Sequence, residues 1–338
     1  MGLQMDILFK FLKALYIILC CVVSIELAVI IHELGHLLMG KLIGYKVGYY
    51  RIGSFAFVKL DGKWKYTRCD GAIGTRGQCI MIPPENDHPE KVPAVLYHLG
   101  GGIFNLLTAA ISILLFLSVH ILFLRQFLIL LACVSIALAI LNLVPMTISV
   151  PNDGYNALRA MKCEADKVAM YRILRINGIS DLTPSEMPPE LYEYSEEGEY
   201  SRVSKMLRSY YHLDRKEFEE AEKLLSECAV KDSKSITYYR LESSSELLFC
   251  KLIRHASKQE IDDLFDAELK DYFEKTKKTS ARVHRIMYAY DRLYMKDEKA
   301  ASEDYDQAVK LQNKNAFRGD ARMESNLLDY VSKLDVPD

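Results

Sequence analysis

The sequence predicts an α-helical integral membrane protein. Three transmembrane helices enclose a small β or re-entrant element, and an all-α cytosolic domain follows. The first observation behind this reading is charge. Residues 1–156 carry 12 Lys/Arg and 9 Asp/Glu, whereas residues 157–338 carry 31 and 36. The second is run length. The poorly charged part contains three apolar runs that each reach or exceed the ~20 residues needed to cross a bilayer. The third is periodicity. Beyond residue 157, apolar residues recur at helical spacing between solvated charged faces. The chain divides into a membrane-embedded domain (1–156), a linker helix with a breaker stretch (157–190) and a helical, repeat-like domain (191–338).

The first span covers about 12–39. It is too long for a cleavable signal peptide and lacks a small-residue cleavage site. The second covers about 95–124 and the third about 127–148, with Arg125-Gln126 expected as a tight turn between them. Segment 41–93 carries nine Lys/Arg, so the positive-inside rule places it in the cytoplasm, with the N-terminus outside and everything after about 156 inside. Within it, 45–93 alternates apolar and polar residues around 49–58 and 63–67 and is rich in glycine. This pattern predicts short strands or hairpins, either an ordinary cytosolic hairpin or a partly embedded element whose edge strand can pair with an unfolded substrate.

Thr183-Pro184 and Met187-Pro188-Pro189 break the chain ahead of the last domain. There, Tyr210-Tyr211, Phe218, Ala221 and Leu224-Leu225 have a tetratricopeptide-like spacing that returns around Tyr288–Leu311. A non-repeating helical bundle accommodates the same pattern. The net charge of −2 argues against nucleic acid as a partner. The eight cysteines form no CxxC pair, which suits reduced thiols rather than a disulfide framework; Cys69 and Cys79 are read as unpaired.

The chemistry is concentrated in His32-Glu33-Leu34-Gly35-His36, which ends the first span. Histidines four residues apart share a helix face, so both imidazoles can reach one Zn²⁺ while the glutamate between them acts as general base. Five letters alone match by chance. The setting adds weight, because two histidines and a glutamate in an apolar helix are costly to bury without a metal or polar partners. A catalytic zinc takes three protein ligands plus water. The acid available in or just after the third span is Asp153, within Asn142-Leu-Val-Pro145 and Pro151-Asn152-Asp153-Gly154; its plainer reading is a helix-ending turn.

HExxH in a membrane span, followed two spans later by Asn-x-x-Pro and Asp-Gly, resembles the site-2 protease family of intramembrane zinc metalloproteases. The resemblance covers 12–156. It implies His32, His36 and Asp153 as the ligands of one zinc, Glu33 as catalytic base, and Asn142 as a group holding the substrate carbonyl or oxyanion. Gly101 and Asn105 match the family's glycine-x-x-x-asparagine element on the middle span. Two departures stand out: seven residues separate Pro145 from Asp153 where four are common, and the middle element lacks a proline after its glycine.

Other polar residues have plainer readings. Glu26 shares the helix face of Glu33 and lines a water route, snorkels or pairs within the bundle. His98 is interfacial, His88 and His120 lie in loops or at the interface, and His212, His255 and His284 belong to the last domain. The expected activity is zinc-dependent hydrolysis of a peptide bond in or near the transmembrane segment of a membrane-anchored substrate, at the cytosolic side of what the compact three-span plan suggests is a bacterial plasma membrane. Residues 191–338 are expected to bind a cytosolic part of the substrate or a regulator. The alternative is a membrane-anchored binding scaffold with a structural or inactive zinc site.

Overall fold

The computed structural model describes residues 2–60, 62–68, 76–232 and 235–336; Cys69 lies outside them. It is mostly helical, with a small antiparallel sheet and three helices long and apolar enough to cross a membrane. The first is α1 (Gly2–Leu42), which at 1.5 Å per residue runs about 60 Å, roughly twice the thickness of a hydrocarbon core. The others are α2 (Val95–Ser118) and α3 (Leu122–Leu143).

Two boundaries differ from the sequence reading. The break between the second and third spans falls at 119–121, and Arg125 and Gln126 lie inside α3. A charged pair is not itself turn chemistry, and the Arg125 guanidinium instead sits 4.5 Å from the centre of the Phe116 ring. The third helix stops at Leu143 rather than near 148, because Val144 precedes Pro145 and a residue before proline is biased out of the α region.

The α1 and α2 backbones touch where HELGH lies. A Cβ on Gly35 would meet the Gly100 carbonyl oxygen at 2.4 Å, and one on Gly100 would meet that of Gly35 at 2.6 Å. Small residues facing each other in this way let membrane helices approach closely.

Between α1 and α2 lie strands β1 (Lys46–Ile52), β2 (Phe55–Leu60), β3 (Lys63–Arg68) and β4 (Gly77–Ile82), ordered β3-β2-β1-β4. The hairpin alternation is clear in β2, where Ala56, Val58 and Leu60 are buried while Phe55 and Phe57 are exposed beside Tyr66 and Trp64 of β3. The buried face packs with Tyr49 and Ile80 against Ala316 and Phe317 near the C-terminus.

After the third membrane-length helix come α4 (Asp153–Lys162) and α5 (Glu164–Gly178), then α6 (Ser201–Asp214), α7 (Phe218–Cys228), α8 (Thr237–Ile253), α9 (Lys258–Leu264), α10 (Ala267–Thr276), α11 (Ala281–Ala289), α12 (Glu298–Gln312) and α13 (Arg318–Ser332). The largest apolar core belongs to this region, with Leu225, Leu248, Phe249, Ile286 and Leu327 at its centre. The breaker stretch 183–192 forms short 3₁₀ turns. Arg322 of α13 pairs there with Glu186, so the module folds back onto its own linker.

Candidate metal centre

His32 and His36 are buried on one face of α1, and Asp153 is the first residue of α4. Their donor atoms form a near-equilateral triangle. His32 Nε2 and His36 Nε2 are 3.1 Å apart, and each lies 3.2 Å from Asp153 Oδ2. A tetrahedral zinc bound at about 2.0–2.1 Å sets its ligand atoms roughly 3.3 Å apart, so the triangle has the size of one face of that tetrahedron.

The surrounding hydrogen bonds fix which lone pairs point inward. His36 Nδ1 lies 2.8 Å from the Tyr97 carbonyl, which accepts only from an Nδ1–H and leaves Nε2 as a lone pair. His32 Nδ1 faces the amide of Asn105 at 3.3 Å, and Asn105 Oδ1 is buried without a partner among the described residues. The two ends of an amide are nearly isosteric. The orientation that turns Oδ1 toward His32 gives Nδ1–H an acceptor and satisfies the orphaned oxygen. With both Nε2 atoms unprotonated, two lone pairs and a carboxylate oxygen converge at 3.1–3.2 Å, a set that could hold a metal ion.

Four structural features hold this geometry. Gly101 lies flat against the His32 ring, where an added Cβ would sit 2.5 Å from Cε1. Asn152 caps α4 by accepting from the Tyr155 backbone N–H at 2.9 Å, and its amide donates to the Leu141 and Val144 carbonyls, both at 2.7 Å. The end of α3 is thereby tied to the residue before Asp153. The long Pro145-to-Asp153 spacing is absorbed in a loop closed by a Thr147–Pro151 bridge and by the Asn152 N–H bonding the Met146 carbonyl at 3.1 Å. Gly154 is required by this docking, since a Cβ there would approach the Leu143 carbonyl oxygen to 2.2 Å.

Glu33 is buried beside the triangle and interacts electrostatically with His32, His36 and Asp153. It packs against the start of β4, its Oε1 lying 2.6 Å from where a Gly77 Cβ would be. The same edge strand is tied to α2, as the Tyr97 hydroxyl donates to the Cys79 carbonyl at 2.7 Å. Glu26, one face-repeat earlier on α1, pairs with Arg76 just ahead of β4.

The structure therefore brings together His32, Glu33, His36, Asp153, Gly101 and Asn105. The Asn142 amide donates to the Leu138 carbonyl of its own helix at 2.9 Å, and its backbone carbonyl lies 3.0 Å from where a Gly154 Cβ would be. His98, expected at the interface, is buried against Tyr97 outside the triangle. Exposed His88 pairs with Glu90, and His120 is exposed. His212 and His284 pair with Glu217 and Asp304, whereas His255 occupies a turn with φ of 53°. Cys79 is a free, buried thiol.

Sequence reasoning missed Tyr97 and read Asn152 only as turn chemistry. The signal for Tyr97 was the run Tyr97, Gly101, Asn105 at successive steps of four, which sets all three on one face of α2. Comparison with known proteins adds no name to this arrangement: no family model, no curated protein and no solved structure matches the chain.

Proposed function

We propose that this chain is an intramembrane zinc endopeptidase of the site-2 protease type. The observation that carries the proposal is the triangle of His32, His36 and Asp153 donors beside a buried glutamate, at the end of a helix long and apolar enough to span a bilayer. The donor set of two imidazoles and one carboxylate suits zinc, leaving a fourth position for water or substrate. Zinc bound there lowers the pKa of a coordinated water toward neutrality and polarises the scissile carbonyl.

The chain's own residues supply the rest. Glu33 takes the proton of the attacking water and passes it to the leaving amine as the C–N bond breaks. Asp153 and the two Nε2 atoms hold the charge of the centre, with Tyr97 and Asn105 fixing the imidazole tautomers. The substrate is a membrane-anchored segment that must unwind, because helical hydrogen bonds occupy the carbonyl to be attacked. β4 begins against Glu33 and offers an extended segment a strand to lie beside. The basic segment 41–93 argues that the site faces the cytoplasm, with residues 191–338 on the same side and available to a substrate tail or regulator.

The test is the purified full-length protein in detergent, analysed for metal and mixed with membrane-segment substrates. Glu33→Gln should abolish cleavage while zinc stays near one per chain. It should also trap the substrate for peptide identification. Full cleavage by Glu33→Gln would remove the mechanism. Zinc binding with no cleavage of any trapped partner would favour a membrane-anchored scaffold with a structural metal.

A further inference from the structure

The four-stranded sheet has two unlike faces, and the strand register fixes which residues share each. One row of partners runs Cys79–Tyr50–Phe57–Tyr66 across β4, β1, β2 and β3, and a second runs Gly77–Ile52–Phe55–Arg68. Directly opposed residues project to the same side of a sheet, and every second row shares that side. At β4 and β1 this side is covered by the membrane-length helices. Gly77 abuts the Glu33 side chain of α1, and Cys79 and Tyr50 pack with Leu37 of α1 and Tyr97 of α2. The opposite side, with Tyr49, Ala56, Val58 and Ile80, packs instead on Ala316 and Phe317 of the helical module.

The β2–β3 hairpin carries the helix-side face past the helices. There Phe55, Phe57, Trp64 and Tyr66 are all exposed. The Tyr66 ring centre lies 5.9 Å from that of Phe55 and 5.6 Å from that of Phe57. A cross-strand aromatic ladder accounts for those contacts, but not for four large rings left open on one side. Lys59 stands opposite Trp64 in register, so Lys59 and Arg68 are exposed cations on this same face. Residues 55–68 carry four Lys/Arg against one acid.

Position decides what such a face meets. β1 starts four residues after α1 ends, and β4 touches α1 at Glu33, nine residues or about 14 Å inside that end. A face that continues from the side of a membrane-length helix, near the end of that helix, meets lipid headgroups rather than bulk water. Trp and Tyr collect at that level, and Lys and Arg there attract anionic lipid. We propose that the helix-side face of the β2–β3 hairpin docks on the headgroup layer of an anionic bilayer, with Phe55, Phe57, Trp64 and Tyr66 seated among the headgroups and Lys59 and Arg68 against lipid phosphates. The proposal rests on the three helices lying in a membrane and not on proteolysis.

Trp64 is the single tryptophan of the chain, so its fluorescence reads this face alone. The test uses the full-length protein in lipid nanodiscs, with bromine on the lipid chains either near the headgroup or near the methyl end, and acrylamide in the water. Trp64 should be quenched more by the shallow bromines than by the deep ones, and less by acrylamide than a tryptophan amide free in solution. Brominated phosphatidylglycerol in phosphatidylcholine should quench it as strongly as a roughly fivefold larger share of brominated phosphatidylcholine, the enrichment expected from one cation at an anionic surface. Lys59→Gln together with Arg68→Gln should bring the two lipids to equal effect. Full acrylamide quenching with no effect of bromine would place the face in water and overturn the proposal. Shielding from acrylamide with no effect of bromine would overturn it in favour of a protein cover such as a second copy. Stronger quenching by the deep bromines would overturn it in favour of a hairpin that enters the hydrocarbon core. Equal effect of the two lipids on the unaltered chain, or an enrichment that survives the double substitution, would overturn the role of the two cations. None of these measurements uses cleavage, so the protease reading stands or falls separately.

Discussion

Two buried ionisable clusters sit in the two halves of this molecule, and they are built on opposite logic. In the helical module, Arg282 and Arg285 direct donors at the carboxylates of Glu242, Glu246 and Glu324, although one Glu246 oxygen and one Arg285 terminal nitrogen stay buried without a partner among the described residues. In the half that carries the three membrane-length helices, His32, His36 and Asp153 converge three possible ligand atoms on one point. The first cluster is held by opposite charges within the protein. The second has the donor types and the spacing that could hold a metal ion. Burial and charge alone do not separate the two; the direction of the hydrogen-bonding groups does.

The largest expected effect is on chemistry. Glu33→Gln should lower peptide-bond cleavage by about 10²–10⁴-fold, the usual worth of a general base, with bound zinc unchanged on elemental analysis. Next comes the module. Arg285→Met leaves Glu246 and Glu324 buried without their main donor, and should cost about 3–5 kcal/mol in denaturant unfolding of the full chain. The metal centre should answer differently. Asp153→Ala removes one of three converging acceptors, so the metal-free protein should lose no thermal stability. The gain in melting temperature on adding zinc should nearly vanish. A large loss in the metal-free variant would show that the two clusters are held by the same kind of force. Asn105→Ala should weaken zinc by about 10–100-fold through the His32 ring, measured by competition with a chelator.

How much of this was legible in the sequence follows from how local each signal is. His32, Glu33 and His36 were readable because helical geometry alone sets them together. Asp153 was readable because few acids lie near a span end and because of the family resemblance. The turn at 119–121 was misplaced because Arg125 and Gln126 were taken as punctuation, although neither contributes turn geometry. Asn142 matched a motif, yet its amide bonds one turn back at Leu138, a partner that any helical Asn has within reach. The Arg285 pairs with Glu246 and Glu324 each span 39 residues, and a cavity over β4 draws its walls from α5, α6, α8, α11 and α13 as well as the strand. Such long-range pairings leave no periodic trace in one sequence.

The smallest expected effect is a pH dependence that the helical module should show. Asp291 is buried just after α11, and burial together with Asp304 and Asp297 pushes its carboxyl up to about 7. Asp304 is itself engaged by His284 Nδ1 at 2.5 Å. A carboxyl raised in the folded state holds its proton there while the unfolded chain has already released it. Between the ordinary aspartate value and about 7 the folded state therefore binds more protons, and stability falls as pH rises through that window. Asp291→Asn removes the titration while keeping the shape. Thermal melts of the full chain at pH 5 and pH 7.5 should show a smaller decline in the variant than in the parent. An unchanged decline would place the pH dependence on another group, with Glu246, whose carboxyl burial also pushes up, as the next to replace.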